Sequence, residues 1–281
     1  MRLVIIAAGC AAILTIALAA EGGRHSIWIS IVVTSIVVAL LVGLIALVER
    51  MTTGRSLASI GFDPRNAGRD IMLGLGLGTL MFSVVILVLA LGGHYHVSAM
   101  HLTRDLGIAA LFFASGAAFE ELLFRGVLFR LIEEWAGTCI ALALSALAFG
   151  AAHAFNPGAT WVSTLAIALE AGVLLGSAFV VTRNLWFPIG VHFAWNFLEG
   201  PIYGTQVSGH VFLASLVTAH VTDRPRVADG RRIRPGTWRS RNRDEPHHVD
   251  SPPRLRIPQH TNSAFPPEAA RRPPIMSEMP C

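Results

Sequence analysis

The sequence predicts an all-α, polytopic transmembrane bundle of about eight helices. Three observations predict it. Apolar residues make up 53% of the 281-residue chain and charged residues only 14%, where a soluble domain carries about a quarter charged. Apolar runs near the roughly 20 residues needed to cross a bilayer recur through the first 220 positions. The basic excess behind a net charge of +4 is also local: residues 221–281 hold 12 of the 22 Lys+Arg against 7 acids, whereas the first 220 carry 10 arginines and 11 acids. A nearly neutral apolar body makes the lipid bilayer the partner and argues against nucleic acid.

The predicted spans are 3–20, 27–48, 70–92, 106–132, 138–155, 160–182, 185–200 and 202–220. The first has Arg2, an apolar core and a small-residue end, "ALAA", before Glu21. It is read as an uncleaved helix, a cleaved signal peptide being the alternative that leaves seven helices. Residues 1–59 are N-terminal membrane helices, and 60–220 form the core. Arg50, Arg55, Arg65 and Arg69 make the 49–69 loop cytoplasmic by the positive-inside rule. Counting spans from there puts the N-terminus and the tail inside the cell and the "GGHYHVSAMH" loop outside. His94, His96 and His101 in that loop are read as solvated rather than metal-binding. "GLGLG" at 74–78 lies inside a span with no strand before it, so it signals close helix packing and not a nucleotide loop.

The segment 221–281 is a different polymer. It holds 11 of the 15 prolines and little apolar periodicity, too little to offset the entropy of ordering, and is expected to be disordered. Its Arg, Pro and Gly content is that of GC-rich DNA read out of frame from about residue 223, and resequencing tests that reading. Cys10, Cys139 and Cys281 form no disulfide or CxxC pattern.

Few polar residues inside the spans can do proton or metal chemistry, and intramembrane ionisable groups mark function by default. Glu120, Glu121 and Arg125 lie on the fourth span, His153 on the fifth four residues after Phe149, and His192 and Asn196 on the seventh. Glu121 and Arg125 are i,i+4 neighbours and can pair. Glu120, about 100° around the helix from Glu121, faces elsewhere in the bundle. His192 and Asn196 share a face. Three helices can thus bring a carboxylate, two imidazoles and an amide to one buried point. Such a set can activate water and stabilise an oxyanion. With Glu120, His153 and His192 as ligands it could instead hold a metal. Taken singly, each group has a structural explanation: a packing histidine, a helix ion pair, an interhelical amide. Glu170 and Glu199 are the less specific candidates.

"EELLFR", "FGAAH" and "HFAWN" resemble, in order, the EExxxR, FxxxH and HxxxN motifs of the CPBP family. These are the CAAX proteases and bacteriocin-processing (Abi-type) enzymes, and "TRNLWFPIGVHFAWNFLEGPIYG" looks like their bacterial members. The resemblance covers about 60 to 220. It implies an intramembrane endopeptidase, either a metalloendopeptidase with zinc or a glutamic endopeptidase. Glu120 and His153 would then activate water, His192 and Asn196 would stabilise the oxyanion, and Arg125 would steady the glutamate pair. The implied substrate is a membrane-embedded peptide or protein. A catalytically silent CPBP-fold binder, acting as an immunity protein or scaffold, is the rival, and a proton-coupled transporter the third reading.

Overall fold

The computed structural model describes residues 6, 9, 26–101, 103, 105–210 and 215–222. Six long helices account for most of it. Five are long and apolar enough to cross a membrane. α1 is Ile27–Thr53, started by the Ser26 cap and stopped by left-handed Gly54. α2 is Ala67–Leu91, entered through a turn at Pro64–Asn66. α3 runs Leu106–Ala136, α4 Thr138–Phe155 and α5 Trp161–Thr182. α6 covers 186–202: an α-helix over Trp186–Phe197 that continues as a π-helix over Leu198–Ile202. The all-α membrane bundle expected from the sequence is therefore the fold.

Interruptions in α3, α5 and α6 matter more than the lengths. Each carries a π-helical stretch, over Leu122–Phe129, Ala168–Val173 and Leu198–Ile202 respectively. Such turns are rare and gather at functional sites. α2 and α6 touch backbone to backbone. A Cβ added to Gly74 would strike the Phe187 carbonyl oxygen, and one added to Gly78 the Val191 carbonyl oxygen. "GLGLG" is thus the close-packing device its sequence suggested.

The predicted span 202–220 is not a helix in its described part. Val217–Val221 forms strand β2, antiparallel to β1, Tyr95–Met100, with His96 opposite His220. Gly204, Ser208 and Gly209 all adopt positive φ, which turns the chain where a helix would need it straight. The β-branched Val217, Thr218 and Val221 of "VTAHV" then suit a strand. The expected span at 3–20 lies outside the described residues apart from Ile6 and Gly9, as does the tail from 223. His94 and His96, expected to be solvated, are half-buried and bound to backbone: His94 Nδ1 to the Thr222 carbonyl at 2.7 Å, His96 Nε2 to that of Gly93 at 2.9 Å.

The bundle has two well-defined ends. At one, the Leu185 amide donates to the Gly61 carbonyl and Arg183 pairs with Glu133 at 2.7 Å. At the other lie the β1–β2 ribbon and the Tyr95 hydroxyl, which donates to the Tyr203 carbonyl at 2.8 Å. Loss of the eighth span changes the parity of the chain. Thr222 leaves the bundle on the side of the 92–101 loop, so that loop and the start of the tail cannot lie on opposite sides as expected.

Candidate active site

The site is built from α3, α4 and α6, with α5 closing it. Glu121 ends the regular part of α3 and is fully buried, as is Arg125 at 1% exposure. Arg125 Nη1 donates to Glu121 Oε1 at 2.8 Å. Its Nη2 crosses to α5 and donates to the carbonyls of Ala171 and Gly172 at 3.2 and 3.1 Å. Both acceptors lie in the π stretch of α5, where the altered hydrogen-bond register makes carbonyls available. Gly172 is needed there because a Cβ would press into the Ala146 backbone at 2.8 Å. The predicted Glu121–Arg125 pair is present, and it also joins two helices.

Glu121 Oε1 has a second partner, His192 Nδ1 at 2.9 Å. An ionised carboxylate only accepts, so Nδ1 carries the hydrogen and His192 presents Nε2. His153 is set the same way. Its Nδ1 is 2.8 Å from the Phe149 carbonyl, a pure acceptor, which leaves its Nε2 facing inward. Both Nε2 atoms approach one atom, Glu120 Oε2, at 3.8 Å from His192 and 4.0 Å from His153. That oxygen is buried and has no hydrogen-bond partner among the described residues. Glu120, rotated away from Glu121 as helical geometry requires, is the carboxylate that faces the imidazoles.

Phe149 is the wedge between these groups. It is 1% exposed, and its ring centroid lies 4.7 Å from that of His153, 5.9 Å from that of His192 and 4.7 Å from Arg125 Cζ. Phe124 packs on it edge-on at 5.0 Å. A rigid aromatic in this position fixes two imidazoles and a guanidinium with one residue, the last by a cation–π contact.

Separations of 3.8 and 4.0 Å are too long for direct hydrogen bonds. Two contacts of about 2.8 Å meeting near a right angle span about 4 Å, so one water suits the gap. A tetrahedral zinc holds its ligand atoms only about 3.3 Å apart. Among the described residues no group of three His, Cys, Asp or Glu is placed to hold a metal ion, and Glu120, His153 and His192 as they stand are set too wide for one.

His153, His192 and Asn196 line a cavity of about 320 Å³ that extends between α5 and α6. Asn196 sits one turn beyond His192, so its amide opens onto the same space. Glu170, Glu199, Gln206 and Ser208 line the far part. Glu170 and Glu199 are the less specific candidates of the sequence, and Gln206 and Ser208 join them only through the fold. The available signal was that Glu199 follows Asn196 by three residues and His192 by seven, which keeps all three on one helix face.

Residues 102–198 match the family model for type II CAAX prenyl endopeptidase Rce1-like proteins. The similarity covers 97 of the 281 residues. The match spans every residue of the three motifs and bears out the CPBP resemblance. A search of the curated proteins found no match. A search of the solved structures found none. The stretch similar to this protease family is thus the one whose apolar helices bring Glu120, His153, His192 and Asn196 together from three helices.

Proposed function

We propose that the chain is an intramembrane endopeptidase that hydrolyses a peptide bond of a membrane-associated substrate with a water activated by Glu120. The observation that carries this reading is the buried, unpartnered Glu120 Oε2 set between two imidazole Nε2 atoms at hydrogen-bonded-water spacing. Water held there gives one proton to Glu120, oriented by His153, as its oxygen adds to the substrate carbonyl. The resulting oxyanion takes hydrogen bonds from Asn196 Nδ2 and from His192 Nε2 when that ring is protonated. Glu121 supports the second role: against Nδ1 and clamped by Arg125, it offsets the charge of an imidazolium. Glu120 then returns its proton to the amine as the C–N bond breaks. Charge balance supports the scheme, since two carboxylates face one guanidinium and a protonated imidazole supplies the missing positive charge.

The test is cleavage of a membrane-peptide library by purified protein, comparing wild type with Glu120→Gln and His192→Ala. The expected result is turnover by wild type alone, persisting after chelation. Equal turnover by all three proteins defeats the reading. Turnover lost on chelation and restored by zinc would show that the three donors close around a metal. A biological effect untouched by both substitutions would favour a silent binder.

A further inference from the structure

We propose that the segment 50–69 is a docking surface for the headgroups of anionic phospholipids, which it selects over neutral ones. The proposal stands apart from the endopeptidase reading, since none of these residues lines the cavity. Arg50, Arg55, Arg65 and Arg69 are all exposed. None of the four guanidiniums has an ion-pair or hydrogen-bond partner among the described residues, whereas Arg125 and Arg183 each hold a glutamate. The neighbouring acids are engaged by the protein itself. Glu49 is 4% exposed and accepts from the Thr53 hydroxyl at 2.9 Å. Asp63 Oδ1 accepts from the Arg65 amide at 3.0 Å, and Asp70 Oδ2 from Asn184 Nδ2 at 2.8 Å. Arginine is always charged, so four fixed cations face outward with no described anion set against them. The positive-inside rule sorts such loops across the membrane, but it does not require the folded chain to leave them bare.

A second feature points to lipid as the partner. Met51 and Leu57 stand among the arginines and are 77% and 40% exposed. The segment joins the ends of two helices long and apolar enough to cross a membrane. Apolar side chains mixed with cations at that depth belong to the boundary between headgroups and acyl chains. A guanidinium also forks onto two phosphate oxygens. The 92–101 loop at the other end of the bundle has no Arg, Asp or Glu, so this run of bare cations belongs to one leaflet.

The arrangement fits a field of headgroups better than one phosphate ion. α1 packs on α3 and α2 on α6, so Arg50 and Arg69 stand on the ends of helices with different neighbours. The short turns Leu57–Ile60 and Pro64–Asn66 bridge them. That bridge is fastened to the bundle. Trp186 Nε1 donates to the Asp63 carbonyl at 3.1 Å, and the Phe62 ring meets the Trp186 ring edge-on at 5.2 Å. The arginines are thus presented as a row along the rim, each free to take a separate headgroup.

The test uses the full-length protein in phosphatidylcholine vesicles, with Cys10, Cys139 and Cys281 replaced by alanine and a bimane label at Met51→Cys or Gly68→Cys. Both positions are exposed, and Gly68 has open space where a Cβ would stand. Spin-labelled phosphatidylglycerol or phosphatidylcholine is added at equal mole fraction and quenches the label at short range. The readout is the ratio of quenching by the first lipid over the second. With all four arginines present it should be about fivefold at low salt, the factor expected of one basic residue at an anionic surface. It should fall toward one in 1 M salt, where screening cuts the reach of charge to about 3 Å. Arg50→Gln with Arg55→Gln should bring the ratio at 51 to within about twofold of one and spare that at 68. Arg65→Gln with Arg69→Gln should do the reverse. A ratio near one at both labels with the arginines intact overturns the surface, and that arm needs no arginine variant to fold. Ratios that survive both pairs of substitutions overturn it as well. So does loss of selection to inorganic phosphate but not to chloride of equal ionic strength, which would mark a site for one ion.

Discussion

Replacing Arg125 by methionine should be the most disruptive single change available in the described bundle. The guanidinium is 1% exposed and its partner Glu121 fully buried. Methionine keeps most of the side-chain length but removes the donors to Glu121 Oε1, Ala171 O and Gly172 O and the cation over Phe149. Glu121 would retain only His192 Nδ1. Removing one member of a buried ion pair costs about 3–5 kcal/mol, because the other charge is left uncompensated. Arg125→Lys keeps the charge but cannot fork to three acceptors, so it should fall between wild type and methionine. The argument also fixes the sign of a double-mutant cycle. Adding Glu121→Gln to Arg125→Met removes the stranded charge, and the pair should be less destabilised than the sum of the singles by about 1–3 kcal/mol. Denaturant unfolding in mild detergent, followed by far-UV circular dichroism, measures all four corners. Additive losses, or Arg125→Met within about 1 kcal/mol of wild type, would refute the claim that this arginine neutralises buried charge.

Asn196→Ala should lower kcat by about 10²–10³ with little change in KM, as loss of one oxyanion donor does; steady-state kinetics on a cleaved peptide checks it. Gly74→Ala should destabilise by about 1–3 kcal/mol, because its Cβ collides with the Phe187 carbonyl across the α2–α6 contact. Gly76→Ala, two residues away with open space around its Cβ, should stabilise by about 0.5–1 kcal/mol; thermal unfolding compares the two. Ser98→Cys on β1 and Arg55→Cys at the opposite end should label from opposite faces of sealed vesicles with an impermeant maleimide, in a background with Cys10, Cys139 and Cys281 replaced by alanine. Labelling from the same face would contradict α2 as a membrane-crossing helix.

Much of the site was legible because its logic is local. Glu121 and Arg125, Phe149 and His153, and His192 and Asn196 are each four residues apart, and a helix turns that spacing into contact whatever the bundle does around it. Glu120 was separable from Glu121 by one rotation of about 100°. What sequence could not supply was joined across the chain. Glu121 meets His192 over 71 residues, and Arg125 meets Ala171 over 46. The error at 202–220 has a related cause. "VFLASLVTAHV" is apolar enough for a span, but its end is paired with Tyr95–Met100, more than a hundred residues earlier. Hydropathy has no access to that pairing. The positive-φ turns at Gly204, Ser208 and Gly209 were the nearest local warning.

The three π stretches bear on how an apolar bundle holds so much charge. A regular helix uses its own carbonyls, so it can offer a buried arginine nothing but side chains. Where α5 loosens at Ala168–Val173, the carbonyls of Ala171 and Gly172 turn to Arg125, and the cation is solvated by backbone instead of water. Glu170 belongs to the same loosened segment. One local irregularity therefore both anchors the guanidinium that steadies Glu121 and sets a carboxylate on the cavity wall. This couples the stability of the ion pair to the shape of the cavity. A substitution that restores regular helix at 168–173 should damage both together, although it touches neither histidine.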